Sequence, residues 1–112
     1  MSVPFRGHER IDRRSVALHR AIAEKLRARP ELLEIARENL DRWMRASERR
    51  QPYWEAWRQI LARPLEEILP LLVEESERMT AMRQMTPFAG VLEPRERWAI
   101  YEKYAPAPVE RP

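Results

Sequence analysis

Proline limits the length of every regular element that this chain can form. The chain has 112 residues with ten prolines and only two glycines. Four of the prolines stand directly before an apolar pattern of helical period: Pro30, Pro52, Pro64 and Pro94. Proline suits the first turn of a helix, because the N–H group that it lacks would have no partner there. The spacing therefore predicts short helices that begin at these prolines, and no strand-like alternation interrupts them.

The complete set of apolar patterns predicts five to six helices. A first helix is expected to start at a cap provided by Asp12 or Ser15. Pro70 falls inside the fourth helix, where it removes a backbone hydrogen bond and is expected to kink or end the helix. The expected boundaries are 12 or 15 to 28, 30 to 46, from 52, from 64, 75 or 76 to 84, and from 94.

These patterns predict an all-α fold, an irregular bundle of short helices with boundaries marked by proline. One helical domain is expected at 12–104, because a chain of this length can bury a single core. A flexible N-terminal arm is expected at 1–11 and a disordered tail at 105–112. Along the second helix, Glu34–Arg37, Glu38–Arg42 and Asp41–Arg45 have helical ion-pair spacing.

The composition limits the cellular environment and the kinds of chemistry that are expected for this protein. The chain has no cysteine, which excludes disulfides, thiol nucleophiles and cysteine-ligated metals. Its longest apolar candidate, at 68–73, is far shorter than the roughly 20 residues that a membrane helix requires. The N-terminus has no apolar segment typical of a secretory signal. We therefore expect a soluble cytoplasmic protein with no membrane partner.

The residues needed for catalysis are missing from the sequence in their usual arrangements. His8 and His19 are the two histidines, and neither has a carboxylate at a metal-ligand spacing. Two glycines cannot supply a phosphate-binding or nucleotide-binding loop. Adjacent glutamates such as Glu66 and Glu67 point about 100° apart on a helix, so they do not form an acid–base pair. The prediction is a protein without catalytic residues, metal or cofactor.

Positive charge is concentrated at the N-terminal end. Residues 1–29 hold eight basic and three acidic residues, whereas the whole chain has a formal charge of +3. Arg13, Arg20 and Arg27 recur every seven residues, so they form a nearly straight line on one helix face. This basic stripe is suited to nucleic-acid phosphates or to an acidic protein surface. Glu24 interrupts it, and that favours an ordinary solvated face.

Aromatic residues of the third helix allow two interpretations. Tyr53, Trp54 and Trp57 lie close together, a pattern seen at base-stacking or ligand sites. The same spacing is what a buried helix edge requires, and we favour core packing. A ligand site would require a concave pocket lined by Trp43, Trp54 or Trp57.

Among DNA-binding motifs, residues 65–84 come nearest to a helix-turn-helix. Such a motif needs a small residue or glycine at the turn and a basic second helix. Here the turn lacks glycine, Pro70 breaks the first helix, and five acidic residues precede the two arginines. Repulsion from phosphates argues against this interpretation.

One apolar segment, "TPFAGVL" at 86–92, fits no helical face. It packs over the bundle core, or it inserts into a groove of a partner with arginines at the rim. The sequence favours the first interpretation and leaves the second open. The partner-binding residues of the second interpretation are Pro87, Phe88, Ala89, Gly90, Val91, Leu92, Arg95 and Arg97.

Three segments in order, "LHRAIAEKLRARPELLEIARENLDRW", "YWEAWRQILARPLEEILPLL" and "RQMTPFAGVLEPRERW", resemble a group of small bacterial antitoxin-like proteins of toxin–antitoxin operons. The resemblance spans residues 15–101. It implies that the protein neutralises a toxin enzyme by direct binding, with autorepression through DNA as a further role. The chain lacks the ribbon or helix-turn-helix DNA-binding domain common in such antitoxins, which puts the repressor role in doubt.

The sequence thus predicts a non-catalytic protein-binding module, most specifically an antitoxin whose toxin is encoded nearby. A nucleic-acid-binding regulator that uses the basic stripe Arg13, Arg20 and Arg27 is the alternative. DNA and a second copy of the chain are further candidate partners.

Overall fold

The computed structural model describes residues 7–49 and 51–105, with side chains from Glu9 onward. Its described part is all-α and contains no strand, which confirms the predicted fold class. Six helices follow in order, with one 3-10 turn before the second. They are α1 (Gly7–Ala28), the 3-10 turn (Pro30–Leu32), α2 (Leu33–Ala46), α3 (Trp54–Leu61), α4 (Leu65–Leu72), α5 (Glu77–Arg83) and α6 (Pro94–Lys103).

The first helix is longer than expected. It begins at Gly7, so neither Asp12 nor Ser15 is its cap, and residues 7–11 are helical where an arm was expected. No proline or glycine follows Gly7 in this stretch, and Glu9 in the first turn complements the positive end of the helix dipole. Residues 1–6 and 106–112, which hold the rest of the expected arm and tail, lie outside the described residues.

Proline lies at or within three residues before four of the other helix starts, and α3 and α4 begin at Trp54 and Leu65, shortly after the predicted Pro52 and Pro64. Pro30 opens the 3-10 turn that leads into α2, and Pro94 is the first residue of α6. Pro70 lies inside α4, and the helix ends two residues later at Leu72. The fifth helix starts after Ser76, whose hydroxyl accepts a hydrogen bond from the Met79 N–H at 3.1 Å.

The surface of α2 differs in part from the expected ion-pair ladder. Glu34 and Arg37 pair at 3.4 Å. Arg42 instead donates to the Asn39 side-chain oxygen at 2.7 Å. Arg45 donates to the main-chain carbonyl of Asp41 at 3.4 Å. A buried polar residue on the same helix therefore takes one arginine away from its expected carboxylate.

Helix α1 lies at the centre of the packing, since α4, α5 and α6 all contact it, while α2 packs against α3. The predicted aromatic edge of α3 is part of the core, and Trp57 is fully buried with its indole N–H donating to the Met82 carbonyl at 3.0 Å. The buried apolar residues are Ile22, Ala23, Leu26, Leu33, Ala36, Leu40, Trp54, Trp57, Ile60, Leu61, Ile68, Leu69, Leu72, Met79, Met82, Phe88, Val91 and Leu92.

Helix α6 is attached differently from the others, because none of its residues is buried. Lys25 of α1 pairs with Glu96 at 2.5 Å, and the Arg14 guanidinium lies 4.8 Å from the centre of the Tyr101 ring. Trp98 is 63% exposed. Among the described helices, none is both long and apolar enough to cross a membrane.

Candidate functional site

The apolar loop 86–92 belongs to the core. Phe88 is 1% exposed and Leu92 is 6% exposed, and Val91 and Pro87 are buried with them. The Phe88 ring packs edge-on against Trp57, with ring centres 5.8 Å apart. This burial decides between the two interpretations of the loop in favour of internal packing, because these side chains cannot enter a partner while they fill the core.

The remaining members of the proposed partner-binding set lie at the surface. Ala89, Gly90, Arg95 and Arg97 are exposed. Gly90 has a φ of 94°, in the left-handed region that favours glycine, and this residue lets the chain turn between two buried apolar pairs. The structure therefore separates the set into a buried half and an exposed half.

Asn39 of α2 fixes the turn of the loop. Its side-chain N–H groups donate to the carbonyls of Pro87, at 2.9 Å, and Ala89, at 2.8 Å. Its oxygen accepts from Arg42, so the buried amide has partners on both sides. These bonds join residues 48 and 50 positions apart in the sequence. The helical pattern of α2 does not predict this role for Asn39. Its one hint is that a polar residue stands between Ala36 and Leu40 on the apolar side of the helix.

His19 of α1 fixes the start of the loop. Its Nδ1–H donates to the Ser15 carbonyl at 2.7 Å, and its Nε2 lies 2.9 Å from the Thr86 hydroxyl. Because a carbonyl only accepts, neutral His19 must accept at Nε2 from the Thr86 O–H. That hydroxyl in turn accepts from the Phe88 N–H at 3.2 Å.

Burial lowers the pKa of His19 to about 4, and the positive charge of Arg83 acts in the same direction, whereas the bond to Ser15 opposes both. His19 is therefore neutral at pH 7, with both ring nitrogens engaged. A general base needs a nitrogen that can reach a substrate proton. The geometry assigns His19 to holding the loop in place.

Arg83 of α5 is a buried cation that caps a neighbouring helix. Its guanidinium donates to the carbonyl oxygen of Leu72, the last residue of α4, at 3.2 Å, and to that of Glu74, in the connection that follows, at 2.8 Å. Positive charge at this end complements the helix dipole. Burial lowers the pKa of Arg83, and the carboxylates of Glu75, Asp12 and Glu74 oppose that shift. No pattern in the sequence indicated that this arginine would be 3% exposed.

The burial of Arg83 also bears on the helix-turn-helix interpretation. The second helix of that motif would be α5, which has seven residues and contains Arg78 and Arg83. Arg83 is committed to the carbonyls after α4, so it is not presented to a DNA groove. One arginine of the two is left at the surface.

The basic stripe lies on the exposed face of α1, where Arg13, Arg20 and Arg27 are all exposed. Arg27 forms an ion pair with Glu24 one turn earlier on the same helix. The stripe is therefore a surface of mixed charge. Glu24, which was predicted to interrupt it, is paired with Arg27 at the C-terminal end of the stripe.

Two grooves flank this stripe and share Arg20. The first, of about 320 Å³, separates α1 from α5 and the C-terminal end of α6. The second, of about 460 Å³, separates α1 from α4. The first is lined by Asp12, Arg13, Val16, Ala17, Arg20, Glu75, Thr80, Arg83 and Tyr104. The second is lined by Arg20, Ala23, Glu24, Arg27, Glu66, Leu69, Pro70 and Val73.

Acidic residues stand opposite the arginines in both grooves. Glu75 lies across the first and Glu66 lies across the second, whereas Asp12 and Glu24 lie on α1 beside the arginines. Phosphate-binding surfaces are strongly and uniformly positive, whereas protein interfaces place charges of both signs at a polar rim around apolar contacts. The apolar contacts of the second groove come from Leu69, Pro70 and Val73.

In the part of the chain with described side chains, no group of three or more histidine, aspartate and glutamate residues is placed to hold a metal ion. The side chain of His8 lies outside that part. Comparisons with protein-family models, with curated proteins and with solved structures found no match.

Proposed function

We propose that this chain is a non-catalytic protein-binding module that binds its partner through the basic stripe and the two grooves beside it. The observation that carries the proposal is the shared position of Arg20, with acidic residues across both grooves. Such a surface can exchange ion pairs with a partner helix or loop of mixed charge, while the apolar wall of the larger groove excludes water.

The specific form that we propose is an antitoxin that neutralises a toxin by direct binding. Its support is the ordered resemblance over residues 15–101 and a surface that offers binding without catalytic groups. The burial of Phe88 and Leu92 moves the proposed contact from the loop 86–92 to α1.

The test is co-expression with the product of the adjacent gene, followed by affinity purification and measurement of Kd. A triple variant, Arg13→Glu, Arg20→Glu and Arg27→Glu, is expected to weaken the complex about 100-fold or more, because each arginine would become a repulsive charge. A matched variant with the same change in net charge, at the exposed residues Arg45, Arg49 and Arg63, is expected to retain binding.

Two results would overturn the proposal. One is the absence of a complex together with a neighbouring gene product that is harmless when expressed alone. The other is an equal loss of binding in both triple variants, which would indicate a general charge effect without a site on α1.

Binding to nucleic acid is a second candidate, favoured by the straight exposed line of Arg13, Arg20 and Arg27 on a helix of 22 residues. Its signature would be an affinity for duplex DNA that falls steeply with salt. Replacing all three arginines should then reduce the slope of log K against log salt by about three. An unchanged slope would exclude the stripe as the DNA contact.

A further inference from the structure

A third cleft lies on the other side of α1, where this helix meets the loop 86–92 and α6. It has a volume of about 150 Å³, and its walls come from three parts of the chain. Its lining is Leu18, His19, Ile22, Thr86, Phe88, Ala89, Gly90, Leu92, Arg97 and Tyr101.

The walls of this cleft are mainly apolar. Leu18 and Ile22 form the α1 side, and Phe88 and Leu92 form the loop side. A space of about 150 Å³ is large enough for a molecule the size of benzene. The two polar side chains at its inner end, His19 and Thr86, already bond to each other, so they add no unsatisfied group.

Arg97 is the positively charged residue among those that line the cleft. Among the described residues, no acidic one lines this cleft, in contrast to the two grooves beside the basic stripe. Within the described residues, the exposed Arg97 side chain forms no ion pair and no hydrogen bond. A guanidinium in this position is suited to a carboxylate, which it binds through two parallel N–H···O bonds.

The α6 wall is held in a defined position although none of its residues is buried. Arg14 stacks on Tyr101 near one end of the helix, and Lys25 pairs with Glu96 near the other. Arg97 lies between these two contacts in the sequence, so the contacts that attach α6 to α1 flank it on both sides. An exposed positive side chain is therefore among the residues that line an apolar cleft.

We propose that this cleft binds a small monocarboxylate whose apolar body is one aromatic ring or a short branched chain. The body fills the space between Leu18, Ile22 and Leu92, and the carboxylate pairs with Arg97. This inference is independent of the protein partner proposed for the opposite surface of α1, and it adds a small-molecule site to the protein.

The test is a methyl NMR titration of the full 112-residue chain with three probes. Phenylacetate offers the ring and the charge, phenylacetamide offers the ring without the charge, and acetate offers the charge without the ring. Phenylacetate is expected to shift the methyl signals of Leu18, Ile22 and Leu92 in a saturable way. Phenylacetamide and acetate should each bind about tenfold or more weakly, because each lacks one of the two contacts.

Three variants separate the two contacts. Arg97→Gln should weaken phenylacetate binding about tenfold and leave the weak binding of phenylacetamide unchanged. Arg95→Gln, the matched control at an exposed neighbour on α6, should bind phenylacetate as the parent does. Leu18→Phe fills the cleft and should abolish binding of both aromatic probes without removing charge.

Several outcomes would overturn the proposal. They are no saturable shift of these methyls with phenylacetate, equal affinity for phenylacetate and phenylacetamide, or equal effects of Arg97→Gln and Arg95→Gln. Saturable shifts confined to methyl groups of the two grooves beside the basic stripe, such as those of Val16 and Val73, would also overturn it. The thermal unfolding of Leu18→Phe, measured without probe, confirms that the variant is folded before it is used.

Discussion

At the scale of single residues, His19 and Asn39 join helices to a distant loop through buried hydrogen bonds. His19 is 2% exposed and Asn39 is 8% exposed. A buried polar group without a partner costs about 1–3 kcal/mol, so these bonds also determine where the loop 86–92 can lie. Each residue makes the position of the loop sensitive to a small chemical change in its side chain.

Acidification is the change to which His19 responds. Its pKa is about 4 in the folded protein and 6.5 as an ordinary histidine. Between these values the unfolded chain takes up a proton and the folded chain does not, so stability falls as the pH falls through this window. We expect the free energy of unfolding to decrease by about 2 kcal/mol from pH 7 to pH 5, measured by urea denaturation.

Replacement of each histidine tests the assignment. His19→Gln should flatten the pH dependence between pH 7 and pH 5, because the titrating group is gone. His8→Gln, at the other histidine of the chain, should keep the slope of the parent. Parallel stability curves for the parent and His19→Gln would show that another group is responsible.

Removal of the Asn39 amide tests the second connection. Asn39→Ala leaves the carbonyls of Pro87 and Ala89 without their donor, and we expect a loss of about 2–3 kcal/mol in the free energy of unfolding. Asn39→Asp has nearly the same shape but only accepts, so it should destabilise the protein at least as much at pH 7. Gln59→Ala, at an exposed position of α3, is the control. A stable Asn39→Asp variant would contradict the role of the donor.

At the scale of elements, α4 and α5 are joined by a short connection whose carbonyls are capped by Arg83. Pro70 contributes to the early end of α4, since it cannot donate to the carbonyl one turn before it. This end brings the carbonyls of Leu72 and Glu74 within reach of a buried arginine. The end of α4, close to the break predicted at Pro70, thus provides carbonyl oxygens that hold the Arg83 cation in the interior.

Restoring the missing donor in α4 should stabilise the protein. Pro70 is exposed, so Pro70→Ala creates no cavity and returns one helical hydrogen bond. We expect a gain of about 1 kcal/mol in the free energy of unfolding by urea denaturation, after the smaller loss of rigidity in the unfolded chain. A decrease in stability would indicate that the break itself is required for the capping by Arg83.

Helix α6 is expected to open before the rest of the bundle, because it has no buried residue. Glu96 accepts from Lys25 and also from its own helix start, the Glu93 N–H, at 2.8 Å. Glu96→Gln removes the charge from both bonds and should raise amide exchange rates in α6 about threefold to fivefold. Rates in α2 should not change, and Glu102→Gln is the control on the exposed side of α6. Uniform acceleration across the chain would contradict a local opening.

At the scale of the whole molecule, the loop 86–92 completes the core between α1, α2 and α3. Phe88 contacts His19 and Trp57, with ring centres 6.3 and 5.8 Å away. Its neighbours Val91 and Leu92 are buried as well. A segment with no regular secondary structure therefore connects helices that are far apart in the sequence.

Truncation of Phe88 measures this contribution. Phe88→Ala should cost about 3–4 kcal/mol in the free energy of unfolding, a large part of the roughly 5–15 kcal/mol typical of a domain. Ala89→Ser, at the exposed neighbour, should have little effect. A stability equal to that of the parent would mean that Phe88 is free for a partner, as in the alternative interpretation of the loop.

The sequence predicted the helices well because helical period and proline are local signals. It failed at the start of α1, where a favourable cap at Asp12 outweighed the fact that no proline or glycine lies between Gly7 and Asp12. It missed the roles of His19 and Asn39 because their partners lie 67 and about 50 residues away. For the same reason, the composition of the loop 86–92 could not show which surface the loop would pack against.

The late position of the loop 86–92 has a consequence for synthesis. The ribosome synthesises the chain from the N-terminus. Helices α1 to α5 therefore emerge before Phe88, Val91 and Leu92 are available to cover them. Until then the nascent chain exposes an apolar seam that chaperones and proteases recognise. Premature stop codons before this point should therefore yield products that are degraded.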